Sequence, residues 1–145
     1  MRVLNGGSFP LLRFDRGEVF PAALEDWCAS SGTSGAVILC GVGMMKDAEL
    51  GVLESTAYKR KTIPGPSEVL SLQGNVSMRD GMPFAHVHTV LGGHDFTASG
   101  GHLFSGIVAV TLEVALCMIP SPLERGEPQG VFRPLQTPKD DIAET

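Results

Sequence analysis

Two stretches of this chain alternate apolar and polar side chains with period two, and that alternation points to a fold built on sheets. In residues 68–78, Leu70, Leu72, Val76 and Met78 point one way, while Ser71, Gln73, Asn75 and Ser77 point the other, as a half-buried strand demands. In residues 107–119, Val108, Val110, Leu112, Val114, Leu116 and Met118 share one face and Ala109, Thr111, Glu113, Ala115 and Cys117 the other. The enclosing apolar run, 106–119, is too short to span a bilayer and carries Glu113, so it reads as a core strand and no membrane association is expected. Glu113 in mid-strand needs a partner, a metal shell, a subunit interface or solvent, since burying a lone carboxylate costs on the order of several kcal/mol.

The other elements follow from similar signals. Residues 8–14 are expected to form a first strand, and Asp15-Arg16-Gly17 a turn. From Glu18, Val19, Phe20, Ala23, Leu24, Trp27 and Cys28 recur at helical spacing, with Pro21 tolerable in the first turn and Ser30-Ser31-Gly32 as the stop. Trp27 lies on the apolar stripe and is expected to anchor the core. Residues 35–43, apolar on both faces, predict a central covered strand, and 49–55 a separate one. Residues 58–66 read as a loop carrying the basic cluster Lys59-Arg60-Lys61, Arg79-Asp80-Gly81 as a turn, and 84–91 as a strand. Eighteen glycines and ten prolines fit many turns and few long helices. Beyond Pro120 prolines recur and periodicity fades, which predicts a domain over 1–120 and an extended tail over 121–145. Val131 and Phe132 are expected to pin that tail, and residues 139–145 to be mobile.

A chain of 145 residues buries roughly two thirds of its unfolded surface on folding, so it needs no metal to fold and any metal it binds is functional. The formal charge of −5 works against unaided binding to a polyanion, which depends on Lys and Arg displacing counterions. Cys28, Cys40 and Cys117 are odd in number, lack C-x-x-C spacing and sit among apolar residues, as reduced core thiols would. The N-terminal MRVLNGGSFPLLRF has no apolar stretch of the length a secretion signal needs, so a cytoplasmic protein is expected.

All four histidines fall between Phe84 and Met118. His86 and His88, two apart in a β-favouring run, leave the same face of a strand. The segment Leu91-Gly92-Gly93-His94-Asp95 has turn composition and can fold the chain back to bring His102 beside them. Three neutral imidazoles suit a zinc-type ion. Gly100 and Gly101 before His102 either allow a close backbone approach at a ligand or mark a turn. His94, beside Asp95, is expected to be exposed and outside the site. A cupin, the commonest H-x-H strand site, expects a glutamate three or four residues further on, where this chain has Thr89-Val90-Leu91-Gly92.

The run Glu68-Val69-Leu70-Ser71-Leu72-Gln73-Gly74-Asn75-Val76, then His86-Val87-His88, Gly100-Gly101-His102-Leu103 and Thr111-Leu112-Glu113-Val114 together resemble the plants-and-prokaryotes conserved (PPC) domain. The likeness covers roughly residues 5–120, with Arg16-Gly17-Glu18 and Gly41-Val42-Gly43 also matching, and its specific part is H-x-H with G-G-H-L. It implies an α+β fold, a single domain of mainly antiparallel sheet with one substantial helix. It also implies a homotrimer, with a zinc site at His86, His88 and His102 as in some stand-alone members. Plant members join the domain to a DNA-binding AT-hook. This chain has no R-G-R-P hook, since Phe132-Arg133-Pro134 is not one, and it lacks the aromatic residue often found before the glutamate of Ser67-Glu68.

Three functions remain open at this point. The first is an oligomeric metal-binding module with His86, His88 and His102 as zinc ligands. The second is a zinc-dependent hydrolase, since three histidines leave one position for an activated water, and a base such as Glu113 or Asp95 nearby would favour it. The third is a DNA-associated regulator, which a contiguous basic surface of Lys59, Arg60, Lys61 and Arg79 built across subunits would favour.

Overall fold

Most of the chain goes into four long strands whose pairings return to their starting point. The computed structural model describes residues 1–138, so the expectation of mobility for 139–145 lies outside the described residues. Strands β1 (Arg2–Asn5), β2 (Leu11–Asp15) and β3 (Val19–Phe20) precede helix α1 (Ala22–Ser31), and the long strands β4 (Gly35–Glu54), β5 (Ala57–Arg79), β6 (Met82–Gly92) and β7 (Ala98–Met118) follow. β4 pairs with β5 and β7, and β6 pairs with the same two, all antiparallel, so the circuit closes. β2 and β3 extend it along β7, and β1 lies outside β2. The result is an α+β domain whose only parallel pairing among the described residues joins β5 to the short β8 (Glu124–Arg125).

The interior is filled by alternate residues of these strands, among them Leu12, Phe14, Leu72, Val76, Val87, Leu112, Val114 and Leu116, all essentially inaccessible to water. Phe14 meets Phe20 edge to face at 5.3 Å between ring centres. α1 closes one side through Leu24 and Cys28, with Trp27 half-buried against the core, and Glu25 Oε1 accepts the Ala85 N–H of β6 at 2.9 Å. Burial, reinforced by the Glu25 carboxylate, pushes the Cys28 thiol up to about 12, so it packs as an inert apolar group.

Several elements differ from their sequence expectation, each for a local reason. The helix begins at Ala22 and not near Glu18, because Val19 and Phe20 pair with Ile107 and Gly106 of β7. It ends as expected, at Gly32 in the left-handed conformation, φ 69°. Residues 35–43 and 49–55 are not two strands but one, β4, bent by an irregularity between Lys46 and Ala48, where Asp47 takes φ 52°. Residues 58–66 are strand and not loop, since Tyr58 pairs with Leu53 and the hairpin continues inward. Because side chains alternate along a strand, Lys59 and Lys61 leave one face and Arg60 the other, which splits the basic cluster.

Two alternations are interrupted. β5 shifts register against β6 between Val69 and Ser71, so Val69 and Leu72 both point inward and Leu70 is 60% exposed. β7 runs from Val108 to Leu112 while β4 advances only from Met45 to Gly43, and Val110 is turned out to 48% exposure. β4 is covered on one face, not both: Ala36, Ile38 and Met45 are buried, whereas Val37, Leu39 and Val42 are exposed in the single chain. The segment after Met118 forms β8 and β9 (Leu135–Gln136), which pair with each other. It is held by backbone hydrogen bonds of Leu123 to Met78 and Ser34 and by Arg125, which donates from Nε to Ser77 Oγ at 3.1 Å and from Nη2 to Asn75 Oδ1. Val131 and Phe132 remain exposed.

Candidate metal centre

β6 and β7 form a hairpin whose turn is held by Gly93 N–H donating to Thr97 O at 2.9 Å and by Asp95 Oδ1 accepting from Thr97 N–H and Oγ1, at 3.1 and 2.7 Å. That turn sets the register that places His102 of β7 directly opposite His88 of β6. His86 and His88 share a face, as their spacing predicts, and their Nε2 atoms stand 3.2 Å apart. Two imidazole nitrogens bound to one tetrahedral zinc at 2.0–2.1 Å lie about 3.3 Å apart, so this pair already has the bite of a chelate. One ligand atom from each of His86, His88 and His102 lies within 4.8 Å of the others. His94 is exposed in the turn and outside the cluster.

The surroundings favour neutral imidazole. Burial, then the neighbouring His86 and His88, then Arg60, drive the pKa of His102 down to about 4. His86 is also held below its ordinary value, first by burial and then by Arg125 and His88. Neutral rings are what a cation needs as ligands. His102 Nδ1 is buried without a hydrogen-bond partner. Among the described residues no protein group fixes the tautomer of that ring, and a cation taking a lone pair would fix it. The donor set therefore fits a zinc-type ion.

His102 is backed by aromatic rings, with Phe104 at 4.5 Å and Tyr58 at 5.3 Å between ring centres. Glycine makes room for them. His102 pairs with Gly51 of β4, where a Cβ would come 2.5 Å from Phe104 Cε2 and 3.0 Å from Tyr58 Cδ1. A Cβ on Gly101 would stand 2.6 Å from Gly51 O. The glycine before His102 therefore serves a close backbone approach, as one of the two sequence readings has it, but the backbone that approaches is β4 and not a ligand. The turn itself lies earlier, at Gly93 to Thr97. Tyr58 and Gly51 escape sequence reasoning because the local pattern divides the continuous strands β4 and β5 there into a short strand and a loop. An aromatic residue two positions beyond His102, on the same face, is the signal that could have found Phe104.

His86 and His102 form part of the wall of a cavity of about 910 Å³. Neither proposed base lies on that wall. Glu113 pairs with Arg13 and Val42 on the far half of β7, and Asp95 is occupied in the turn. Among the described residues the one carboxylate lining the cavity is Glu25.

The Plants and Prokaryotes Conserved (PCC) domain, the PPC domain of the sequence resemblance, matches residues 1–120. No curated protein matches the sequence. Among solved structures, a plant- and prokaryote-conserved (PPC) protein of Pyrococcus horikoshii is 30% identical, with 90% of this chain and 92% of that one covered and a TM-score of 0.82. A metal-containing protein of Archaeoglobus fulgidus is 33% identical over 93% of this chain and 95% of its own, with a TM-score of 0.80. A Bacteroides thetaiotaomicron protein at 22% identity, covering 94% and 96%, has a TM-score of 0.86 and speaks to the fold alone.

Proposed function

This chain belongs to the Plants and Prokaryotes Conserved (PCC) domain family, and we propose that within it the protein is an oligomeric metal-binding module whose His86, His88 and His102 hold one zinc-type ion. The observation that carries this reading is the convergence of three imidazoles to within 4.8 Å, in surroundings that lower the pKa of two of them. The metal-containing Archaeoglobus fulgidus relative supports it. A bound zinc ion would act as a Lewis acid with a fourth position open to water or ligand. The chain's part is to present neutral rings, hold His102 against Phe104 and Tyr58, and keep the cavity beside it.

We further propose a homotrimer, as the family resemblance implies, with the exposed apolar residues Val37, Leu39, Val42 and Leu70 as surface for the other copies to bury. Among the described residues no helix is long and apolar enough to cross a membrane. Cys28, Cys40 and Cys117 are free thiols, which suits the reducing cytoplasm.

A zinc-dependent hydrolase is the second reading, favoured by the cavity that opens at the histidines. A DNA-associated role draws little from the charges. Lys59 and Lys61 part from Arg60 across the strand, and Arg60 pairs with Glu49 at 3.3 Å. The metal reading is tested by elemental analysis of protein purified without a histidine tag. About one zinc per chain is expected, with a sharp loss in His102→Ala at unchanged circular dichroism and little change in His94→Ala. Equal effects of the two variants, or no uptake from micromolar zinc, would show the histidines to be structural.

A further inference from the structure

The cavity at the histidines carries a charge opposite to that of the whole chain. Among the described residues Arg60, Arg79, Arg125 and Arg133 line it against the single carboxylate Glu25, in a protein of net charge −5. Two of these cations are already paired, Arg60 with Glu49 at 3.3 Å and Arg133 with Asp80 at 2.8 Å. Arg79 and Arg125 have no carboxylate partner among the described residues. Both are nonetheless held in place around one ring. The Arg79 guanidinium lies 3.7 Å from the centre of Phe84, and that of Arg125 lies 5.6 Å from it. Arg125 is fixed further by Ser77 and Asn75. Burial and then the charge of Arg79 draw the pKa of Arg125 down. Arg125 is partly buried and Arg79 exposed, and both guanidinium groups gather at the same ring on the cavity wall, an arrangement suited to receiving an anion.

We propose that this cavity binds a small organic anion, its phosphate or carboxylate held by Arg79 and Arg125 and its apolar part lying along Phe84 and Phe104 toward the histidines. This names a ligand class for the site read above as a metal centre. The cavity of about 910 Å³ is of ligand size, near the upper end of the usual range of roughly 300–1,000 Å³. Its positive charge lies in a concavity rather than along an extended stripe, which suits a small molecule and not a duplex. Aromatic walls beside a cationic end select a ligand with an anionic head and a flat or apolar body.

The test is calorimetric titration of the full chain, zinc-loaded and chelator-stripped, with phenyl phosphate, with benzoate, and with benzyl alcohol as the uncharged control. At least one of the two anions should bind, the tighter one identifying the head group, and benzyl alcohol should not. Arg79→Gln should weaken binding by roughly tenfold, as expected for loss of one charge-assisted pair. Because among the described residues Arg79 makes only the Phe84 stack, this variant should keep the wild-type melting curve. Arg125→Gln, which also loosens the segment after Met118, serves as the second variant. Anion binding that persists in stripped protein or in His102→Ala supports the inference even if zinc is never taken up. Zinc uptake with no heat from either anion at about 10 mM, a range in which a single ion-pair site should be visible, overturns it and leaves the metal reading intact. Equal binding of benzyl alcohol, or an Arg79→Gln variant that binds as wild type, overturns it as well.

Discussion

The carbonyl of Gly51 stands 2.6 Å from the place a Cβ on Gly101 would occupy, so β4 and β7 touch backbone to backbone beside His102. A side chain at either position separates the strands or displaces Phe104 and Tyr58. Gly101→Ala should therefore destabilise the protein by roughly 1–3 kcal/mol, as overpacking does, and weaken zinc binding with it. Gly100→Ala, whose Cβ would lie 3.2 Å from Thr89 O and Val90 Cγ2, should cost less. Urea denaturation of both variants, with and without zinc, checks the order. A Gly101→Ala protein as stable as wild type would show that the strands can part without cost.

His102 makes acid sensitivity predictable in sign. Its unfolded value is the ordinary 6.5, and its folded value is about 4. As pH falls through that window the unfolded chain takes up a proton that the folded chain refuses, so this contribution is complete above 6.5 and is lost progressively down to about 4. Metal-free wild type should then lose more stability between pH 7 and 4 than metal-free His102→Phe, measured as shifts in urea midpoint. Proton competition at His102 also sets in late. The sequence alone suggests metal affinity declining below about pH 6, from the reference histidine value, whereas the structure moves the His102 share of that decline toward pH 4. Between pH 6 and 5 the logarithm of zinc affinity should change by no more than about two units, because His102 adds almost nothing above its folded value. A change approaching three would contradict the lowered value.

The three histidines were legible in the sequence because strand period and turn composition are local signals. H-x-H puts two rings on one face, and the turn composition near Gly93 supplies the hairpin that brings His102 opposite His88. What surrounds them was less legible because it depends on register between distant strands. Tyr58 reaches His102 only because β4 and β5 form one long hairpin, and the bend near Asp47 that permits it has no proline or paired glycine to announce it. Leu70 and Val110 fit perfect alternations on paper, yet each is turned outward where a strand carries extra residues against its partner, a feature that one strand's pattern cannot reveal. Arg125 sits in a proline-rich stretch without periodicity, and its anchoring to Ser77 and Asn75 is set by tertiary packing alone.

The outward turn of Leu70 leads to the assembly prediction. Leu70 is 60% exposed and Val42 61%, on neighbouring strands, with Val37 and Leu39 further along β4. An apolar face of this kind suits burial by other copies of the chain. Light scattering should give about three times the 15.3 kDa chain mass. Val42→Asp and Leu70→Asp should each shift the protein toward monomer without unfolding it, because neither side chain belongs to the core of the single chain. A wild-type monomer at micromolar concentration, or variants that stay assembled, would remove this face from the interface.

Whether the proposed metal centre would do chemistry turns on a base, because water on a three-histidine zinc would have its pKa lowered toward about 7 but would still need placing and a proton acceptor. Glu113 lies on the far half of β7 and Asp95 is spent on Thr97, so neither can serve His102 directly. Glu25 reaches the cavity wall, but its Oε1 already accepts the Ala85 N–H. Zinc-loaded protein should therefore hydrolyse p-nitrophenyl acetate and p-nitrophenyl phosphate only weakly, at a rate that falls to background in His102→Ala and is unchanged in Glu113→Gln and Asp95→Asn. Turnover that is fast and is lost in Glu25→Gln at full zinc content would identify Glu25 as the base and make the hydrolase reading the better one. Fast turnover lost in Glu113→Gln would instead require a second subunit to carry that carboxylate to the histidines, since β7 alone holds it away from them.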